Sequence, residues 1–232
     1  MKVLKKLDPK EIEEIEKLAQ EALKYEIFLP GYATFSCTLI DPEGNPVIYY
    51  EDKSRSYVRN FYNVVILHNI IAWGRVSSFP SIQGYATGKL SIKRIDGTIV
   101  HSIGIDAFIA SAGETNKGIV VGSSNQAESI DNFKLISIIN HGAGAGQLSY
   151  QAMQNPTVSW NSQTKRFSAR YTRFFFNQSG NTITVAEVGI YTYSLYTYNT
   201  FCIIRDVLSQ SINIPNGYDL KVEYTLVGPA YP

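Results

Sequence analysis

Residues 177–193 of this chain read "NQSGNTITVAEVGIYTY", a turn followed by a run in which apolar and polar residues alternate. Ser179 and Gly180 are residue types that tight turns use, and the alternation after them is typical of a β-strand. Glu187 interrupts this otherwise neutral strand. A carboxylate buried in a strand needs a partner, so the stretch predicts a strand that is held by a charged neighbour.

The nearest candidate partner for Glu187 is Arg205, in the apolar stretch "FCIIRDVL", residues 201–208. A tyrosine-rich loop joins the two stretches, which favours their pairing as neighbouring strands. The sequence therefore predicts a structural ion pair between Glu187 and Arg205. It favours this role over acid–base catalysis because both residues lie in otherwise apolar strands.

The C-terminal half of the chain repeats this period of two. In "TKRFSARYTRFFFN", residues 164–177, Phe167, Ala169 and Tyr171 fall on one face of a half-buried strand. The last strand, "YDLKVEYTLV", residues 218–227, alternates as cleanly, and its expected inward-facing residues are Leu220, Val222, Tyr224 and Leu226. Strands at close spacing with turns between them predict a mainly β fold, an antiparallel β-sandwich of jelly-roll-like or Ig-like type.

Two helices are predicted in the N-terminal half. Residues 8–25 favour an amphipathic helix with Asp8 as N-cap, Pro9 at its first position and Glu11 at the capping-box position. Residues 54–73 favour a second helix, since their apolar residues also fit a helical face and a glycine follows.

These elements suggest a division of the chain. Residues 1–26 form an N-terminal helical arm, and residues 27–232 form the β-sandwich region, as one unit or as two packed parts, 27–113 and 114–232. Within the first part, Asp96 and Gly97 predict the turn of a hairpin.

Two groups of residues are candidates for contact with a partner. The first helix carries an apolar stripe that has to be covered, either by this chain's own β region or by a neighbouring subunit. Its members are Ile12, Ile15, Leu18 and Leu23. In the tyrosine-rich loop, Tyr196 and Tyr198 have rings that can stack on a sugar or line a subunit interface, where tyrosine is enriched.

Composition excludes several classes of protein. Only 18% of the 232 residues are charged and the formal net charge is +1, so neither nucleic acid nor an anionic membrane is an expected partner. The three histidines lie far apart and outside metal-ligand spacing. The glycine-rich "HGAGAG", residues 141–146, lacks the G-x-S-x-G motif of an esterase. We therefore expect a protein that is not an enzyme and has no metal or cofactor.

Four segments of the chain form a recognisable combination: "GIVVGSSNQAESIDNFKL", "GAGAGQLSY", "NQSGNTITVAEVGIY" and "IIRDVLSQSINIPNGYDLKVEYTL". Together they resemble a recurrent module of virion proteins from tailed phages and related archaeal viruses. In that family an "IxVGxG…D…L" segment precedes an "N-x-SG-x-I-x-(E)-(I/V)-G-(I/L)-(Y/F)" strand and a terminal "R-D…V…G…L-x-V-x-Y" strand. The stretch "GNPVIYYEDKSRSYVRNFYNVV" is similar to a serine-aromatic-x-x-Asn/Arg-Phe segment that precedes the module. This chain has "VGSS" where the family has "VGTG". The resemblance covers residues 40–73 and 118–227.

The resemblance implies a β-rich, non-enzymatic component of a viral particle: a capsid-surface, neck, tail or fibre-base protein. Its partners would be copies of itself and other virion proteins, and the family supplies no catalytic residues. The N-terminus turns acidic where a signal peptide needs an apolar core, and no run of 18 apolar residues occurs. We therefore expect synthesis in the host cytoplasm and function in the virion.

Three functional hypotheses follow from these observations. The first is an assembly protein in a symmetric oligomer, the second a receptor- or glycan-binding module of a tail fibre, with a host-surface glycan as its ligand, and the third a cell-envelope hydrolase. Glycan binding by the purified chain distinguishes the second. A pocket with two converging carboxylates would favour the third.

Overall fold

The computed structural model describes residues 1–23, 31–54, 57–61, 92–100, 109–194 and 199–228, and within them the fold is mainly β. The strands are β1 (Lys2–Lys5), β2 (Tyr32–Ile40), β3 (Pro46–Lys53), β4 (Ile92–Lys93), β5 (Ile99–Val100), β6 (Gly118–Gly122), β7 (Ser149–Tyr150), β8 (Thr157–Asn161), β9 (Arg166–Phe176), β10 (Ile183–Ser194), β11 (Asn199–Ile214) and β12 (Asp219–Val227). Helix α1 spans Pro9–Leu23.

The larger sheet has seven strands in the order β1-β3-β2-β12-β9-β7, and β8 also pairs with β9. β12 lies at its centre, between β2 and β9. The predicted alternation of β12 is confirmed, because Leu220, Val222 and Tyr224 are buried and Leu226 packs against the core. The C-terminal strand is therefore a core strand.

The larger sheet is mixed, so the expectation of purely antiparallel pairing is wrong at its first strand. β1 pairs parallel with β3, while all the other pairs in this sheet are antiparallel. Two parallel strands need a long crossover connection between them, and here α1 and β2 lie between β1 and β3 in the chain. Lys5 forms an ion pair with Asp52 across these two strands.

The smaller sheet has three antiparallel strands in the order β11-β10-β6. The turn that leads into β10 is built on Asn177, whose side-chain amide donates to the carbonyls of Asn181 and Ile214, each at 2.7 Å. Gly180 in this turn has φ +78°, a backbone conformation that favours glycine. The "NQSG" turn predicted from the sequence therefore has a buried amide at its centre.

The two sheets share one hydrophobic core. The buried cluster includes Phe35 and Val222 from the larger sheet and Val188 and Ile204 from the smaller one. We therefore describe both sheets as parts of one folded unit.

Helix α1 begins as predicted. The backbone N–H of Lys10 donates to the Asp8 carboxylate at 2.9 Å, which is the N-cap bond that the sequence indicates. The helix contacts its own chain, because Glu16 accepts hydrogen bonds from Arg166 Nε at 2.8 Å and from the Tyr32 hydroxyl at 3.0 Å. Of the two alternatives for this helix, docking on the β region of its own chain or on a neighbouring subunit, these contacts correspond to the first.

The other N-terminal predictions are tested only in part. Residues 59–61 are helical, whereas residues 62–73 of the second predicted helix lie outside the described residues. The Asp96–Gly97 hairpin is present as the pair β4 and β5. The proposed arm at residues 1–26 is not purely helical, since β1 belongs to the larger sheet.

Candidate functional site

Glu187 on β10 and Arg205 on β11 meet in the interior. Arg205 Nε lies 2.7 Å from Glu187 Oε2, and both side chains have zero exposure. In the strand pairing Gly189 stands opposite Arg205, so Glu187 and Arg205 are diagonal neighbours on one face of the smaller sheet. We call this ion pair the brace.

Two glycines leave room for groups at and around the brace. Gly122 on β6 stands opposite Glu187, and a Cβ atom at Gly122 would lie 2.5 Å from Glu187 Oε1. At Gly189 a Cβ atom would lie 2.5 Å from the Ile204 carbonyl oxygen and 2.7 Å from Leu135 Cδ1. Side chains larger than hydrogen would therefore displace the parts that the brace holds together.

The brace fixes residues 123–137, a segment without regular strands that we call the connector. The Glu187 carboxylate accepts the backbone N–H groups of Ile136 at 3.2 Å and Ser137 at 2.8 Å. The Arg205 guanidinium donates to the Gln126 carbonyl at 2.9 Å and to Asn132 Oδ1 at 2.9 Å. One buried charge pair thus anchors both ends of the connector against the smaller sheet.

The residue after Arg205 faces the opposite direction. Asp206 is buried between the sheets, where its carboxylate accepts the Tyr224 hydroxyl at 2.9 Å and the Ser54 hydroxyl at 3.1 Å. Burial, and then the charge of Asp206, raises the pKa of Tyr224 well above its usual value. β11 therefore carries an ion pair on one face and a hydrogen-bonded carboxylate on the other.

Sequence reasoning missed a second buried arginine, Arg173 on β9. Its guanidinium donates to five backbone carbonyls at 2.8 to 3.3 Å; the acceptors are those of Ser111, Glu114, Lys117, Ile119 and Gln151. It also lies over the Tyr150 ring, with its central carbon 4.9 Å from the ring centroid. Burial lowers the pKa of Arg173 to about 10. Arg173 shares its face with Tyr171, which is the sequence signal that could have identified it.

At the start of β9 the buried and exposed faces are the opposite of those that the alternation of residues 164–177 predicts. Arg166 is buried, whereas Phe167 is 49% exposed. The reason is local: the Arg166 side chain bonds Glu16 of α1 and the Gly228 carbonyl, so this end of the sheet is covered on the arginine side.

β8 presents an exposed edge. All five of its residues are exposed, and among the described strands it pairs only with β9. On one face of this hairpin Val158 is 64% exposed and Trp160 43%, and the Trp160 and Phe167 rings lie 4.6 Å apart between centroids. We call Val158, Trp160 and Phe167 the exposed ladder. Sequence reasoning did not single it out.

The larger sheet has a polar depression on the face that points away from the shared core. Glu51 on β3 and Glu223 on β12 both stand opposite Ser36 on the strand between them, and Tyr49 and Arg170 also line the depression. Two strand spacings separate the backbones of the two glutamates by about 10 Å. Glu223 is held by Lys221 Nζ at 2.9 Å.

The remaining predicted contact residues are described only in part. Ile12 on α1 is half-buried. The side chains of Ile15, Leu18 and Leu23 lie outside the described residues, and so do Tyr196 and Tyr198.

The two cysteines and the arrangement of potential metal ligands limit the chemistry of the described residues. Cys37 and Cys202 are free and buried, and burial raises the pKa of both thiols. In the described ranges no group of three or more His, Cys, Asp or Glu side chains is arranged to hold a metal ion. Those ranges also contain no helix with the length and apolarity needed to cross a membrane.

Comparisons with known proteins do not assign the chain to a family. No family model matches it, and neither the curated proteins nor the solved structures contain a match.

Proposed function

We propose that this chain is a non-enzymatic structural subunit of a viral particle, where it forms part of the capsid surface, neck or tail. One observation carries the proposal. Three of the segments on which the resemblance to virion proteins rests meet at the brace, and residues 136–176 separate the first of them from the other two in sequence.

Each of these segments contributes residues with a defined structural role. The first supplies Gly122, which leaves space for the Glu187 carboxylate, and Leu135, which packs at Gly189. The third supplies Glu187 and Gly189 themselves. The fourth supplies Arg205, which completes the ion pair. The pattern behind the resemblance is thus a pattern of residues that hold loops and sheets together.

The chemistry of the brace favours rigidity over catalysis. Both of its side chains are fully buried, and their polar atoms are used on the connector and on each other. Groups held in this way keep one geometry and do not reach a ligand at the surface. A subunit of a particle needs such a fixed shape. With this proposal we retain a sandwich of jelly-roll-like or Ig-like type, since Asp206 and Tyr224 join the two sheets.

The test is the protein content of purified particles. Particles from a culture that produces this chain are purified by density gradient, and the chain is quantified by mass spectrometry relative to the major capsid protein. We expect a fixed stoichiometry that survives repeated purification. Hundreds of copies would indicate capsid decoration or tail tube, and six to eighteen would indicate neck, baseplate or fibre, as rough classes set by particle symmetry. Absence from the particles would refute the proposal.

A second candidate function, binding of a receptor or glycan, is favoured by the polar depression. Its tyrosine, arginine and carboxylate side chains are groups that hydrogen-bond sugar hydroxyls. A glycan array with the purified chain tests this function, with Glu223→Gln as the variant and Glu43→Gln, in an exposed turn elsewhere, as its matched control. Loss of binding in the first variant alone would support the depression as the site.

The two carboxylates also bear on the third hypothesis, a cell-envelope hydrolase. Inverting glycosidases place their two carboxyl groups about 6.5 to 9.5 Å apart. Release of new reducing ends from isolated cell envelopes, abolished by Glu51→Gln, would establish this activity. No release with the unmodified chain would exclude it for that substrate.

A further inference from the structure

The β8 edge has features that strand edges of soluble proteins usually avoid. Natural edge strands are protected by charged residues, prolines or bulges. β8 reads "TVSWN" and contains no charged residue and no proline, and its pairing with β9 runs without a register shift. Among the described strands β8 pairs on one side only, so its other side offers regular backbone donors and acceptors to an added strand.

The two faces of β8 differ in a way that suits this addition. Val158 and Trp160 lie on the face that continues onto Phe167. The opposite face carries Thr157, Ser159 and Asn161. Each half-exposed aromatic ring leaves roughly 100 Å² of surface accessible, so the exposed ladder is a small apolar patch beside a strand edge that pairs with no other described strand.

We propose that this edge binds a second copy of the chain, with the two β8 strands antiparallel about a two-fold axis at Ser159. The argument is self-complementarity. A two-fold axis at Ser159 pairs residues that lie equally far before and after it in the strand. Val158 of each copy therefore faces Trp160 of the other, and Thr157 faces Asn161. Apolar residues then meet apolar residues, polar residues meet polar ones, and no like charges face each other.

The partner in this inference is a second copy of the same chain. The pairing itself does not require the proposed function; only its setting, a viral particle in which many copies meet, rests on that proposal. The apolar area on one hairpin is below what standard stable interfaces bury, about 800 Å² per partner. We therefore expect weak, reversible pairing of the free chain, which repeated contacts within a particle would strengthen.

Cysteine cross-linking tests the register directly. Residues opposite each other in an antiparallel pair have Cα atoms about 4.5 to 5.5 Å apart, within the range of a disulfide. Under mild oxidation, Ser159→Cys is expected to form a covalent dimer at least roughly tenfold faster than Thr157→Cys. The latter is a matched control on the same strand and face, but its two copies would be displaced by four residues, about 13 Å. Both native cysteines are buried, so the introduced thiol is the reactive one.

A second measurement follows the association itself. Sedimentation velocity over a range of concentrations should show a monomer–dimer equilibrium, and Trp160→Lys should raise its dissociation constant at least roughly tenfold. Trp160→Phe, which keeps an apolar ring, should retain most of the affinity. Far-ultraviolet circular dichroism checks that each variant is folded.

Three outcomes would overturn the inference: equal cross-linking rates at the two positions, a full chain that stays monomeric at every concentration, or a dimer unaffected by Trp160→Lys. These outcomes are independent of the particle measurement. A chain present in particles without β8 pairing would leave the proposed function intact, and β8 pairing without particles would leave only the dimer.

Discussion

Arg205 and Arg173 are both fully buried, yet their charges are balanced in different ways. Arg205 lies against a carboxylate, Glu187, and has three further acceptors in the connector. Arg173 donates to five backbone carbonyls, and among the described residues none of its hydrogen bonds goes to a carboxylate. In the first site two charges neutralise each other, and in the second, dipoles replace the water that a guanidinium would otherwise bind. The two sites should therefore respond differently to the loss of the arginine.

The largest effect is expected for Arg205→Met. This change leaves Glu187 as a buried carboxylate without its cation, which costs about 3 to 5 kcal/mol of unfolding free energy. Urea denaturation measures the loss. Glu187→Gln combined with Arg205→Met removes both charges and should recover part of the stability. A double variant no more stable than Arg205→Met would argue against a charge pair as the source of the effect.

Arg173→Met should cost less, about 2 to 3 kcal/mol, because it leaves neutral carbonyls unsatisfied rather than a bare charge. Its effect should add to that of Glu187→Gln within about 0.5 kcal/mol, as expected for sites without shared partners. Denaturation of the single and double variants gives the coupling free energy. A coupling above 1 kcal/mol would show that the two arginine sites act together.

Gly122→Ala tests how closely the brace is packed. The added methyl group would meet Glu187 Oε1 and the Ser137 carbonyl oxygen at 2.5 and 2.6 Å, and we expect a loss of about 1 to 2 kcal/mol from this overpacking. Gly228→Ala is the matched control, because its Cβ atom would lie at an ordinary 3.5 Å from the nearest atom, the Phe167 carbonyl oxygen. Thermal denaturation compares them, and equal losses would contradict the close fit at Gly122.

The smallest effect is expected near the ion pair of Arg166 and Glu16, which differs from the two interior sites because Glu16 also accepts a hydrogen bond from the Tyr32 hydroxyl. Burial, followed by the nearby Glu16, raises the pKa of Tyr32 to about 12 from its usual 10. This pKa is higher in the folded than in the unfolded chain, so the phenol's contribution to stability is complete below pH 10 and is lost as the pH rises through 12.

The stability difference between the unmodified chain and Tyr32→Phe should therefore shrink between pH 9 and pH 11.5. Chemical denaturation at the two pH values measures this difference. A constant difference would mean that Tyr32 ionises in the folded chain as easily as in the unfolded one.

The comparison of the two arginines also explains what the sequence could predict. Glu187 and Arg205 were found because two charged residues in adjacent apolar strands have a recognisable pattern, and Leu220, Val222 and Tyr224 because a period of two identifies a buried face. A period of two also places Arg173 on the face of Tyr171, but its partners are backbone carbonyls, which are present at every position and cannot be identified from the sequence. The burial of Arg166 depends on where α1 docks, which local periodicity does not specify.

The exposed ladder also shows that a sequence pattern does not determine burial, here for apolar residues that are exposed. The alternation of residues 164–177 indicates which side chains share a face, and Phe167 does share one with Tyr171. Whether that face is covered along its whole length depends on the extent of the smaller sheet beneath it. Long-range packing decides this, so the exposure of Trp160 and Phe167 could not be predicted from their own strands.

The neighbouring residues Arg205 and Asp206 also specify the alignment of β11. Successive side chains of a strand point to opposite faces, so a slip by one residue would exchange the two. Asp206 would then face Glu187, and Arg205 would face the Tyr224 hydroxyl without its carboxylate. Like charges would meet in the interior on one side, and an unpaired cation would be buried on the other. The ordered pair thus disfavours the misaligned hairpin, and selects one register for a strand of 16 residues that hydrophobic residues alone would allow to shift.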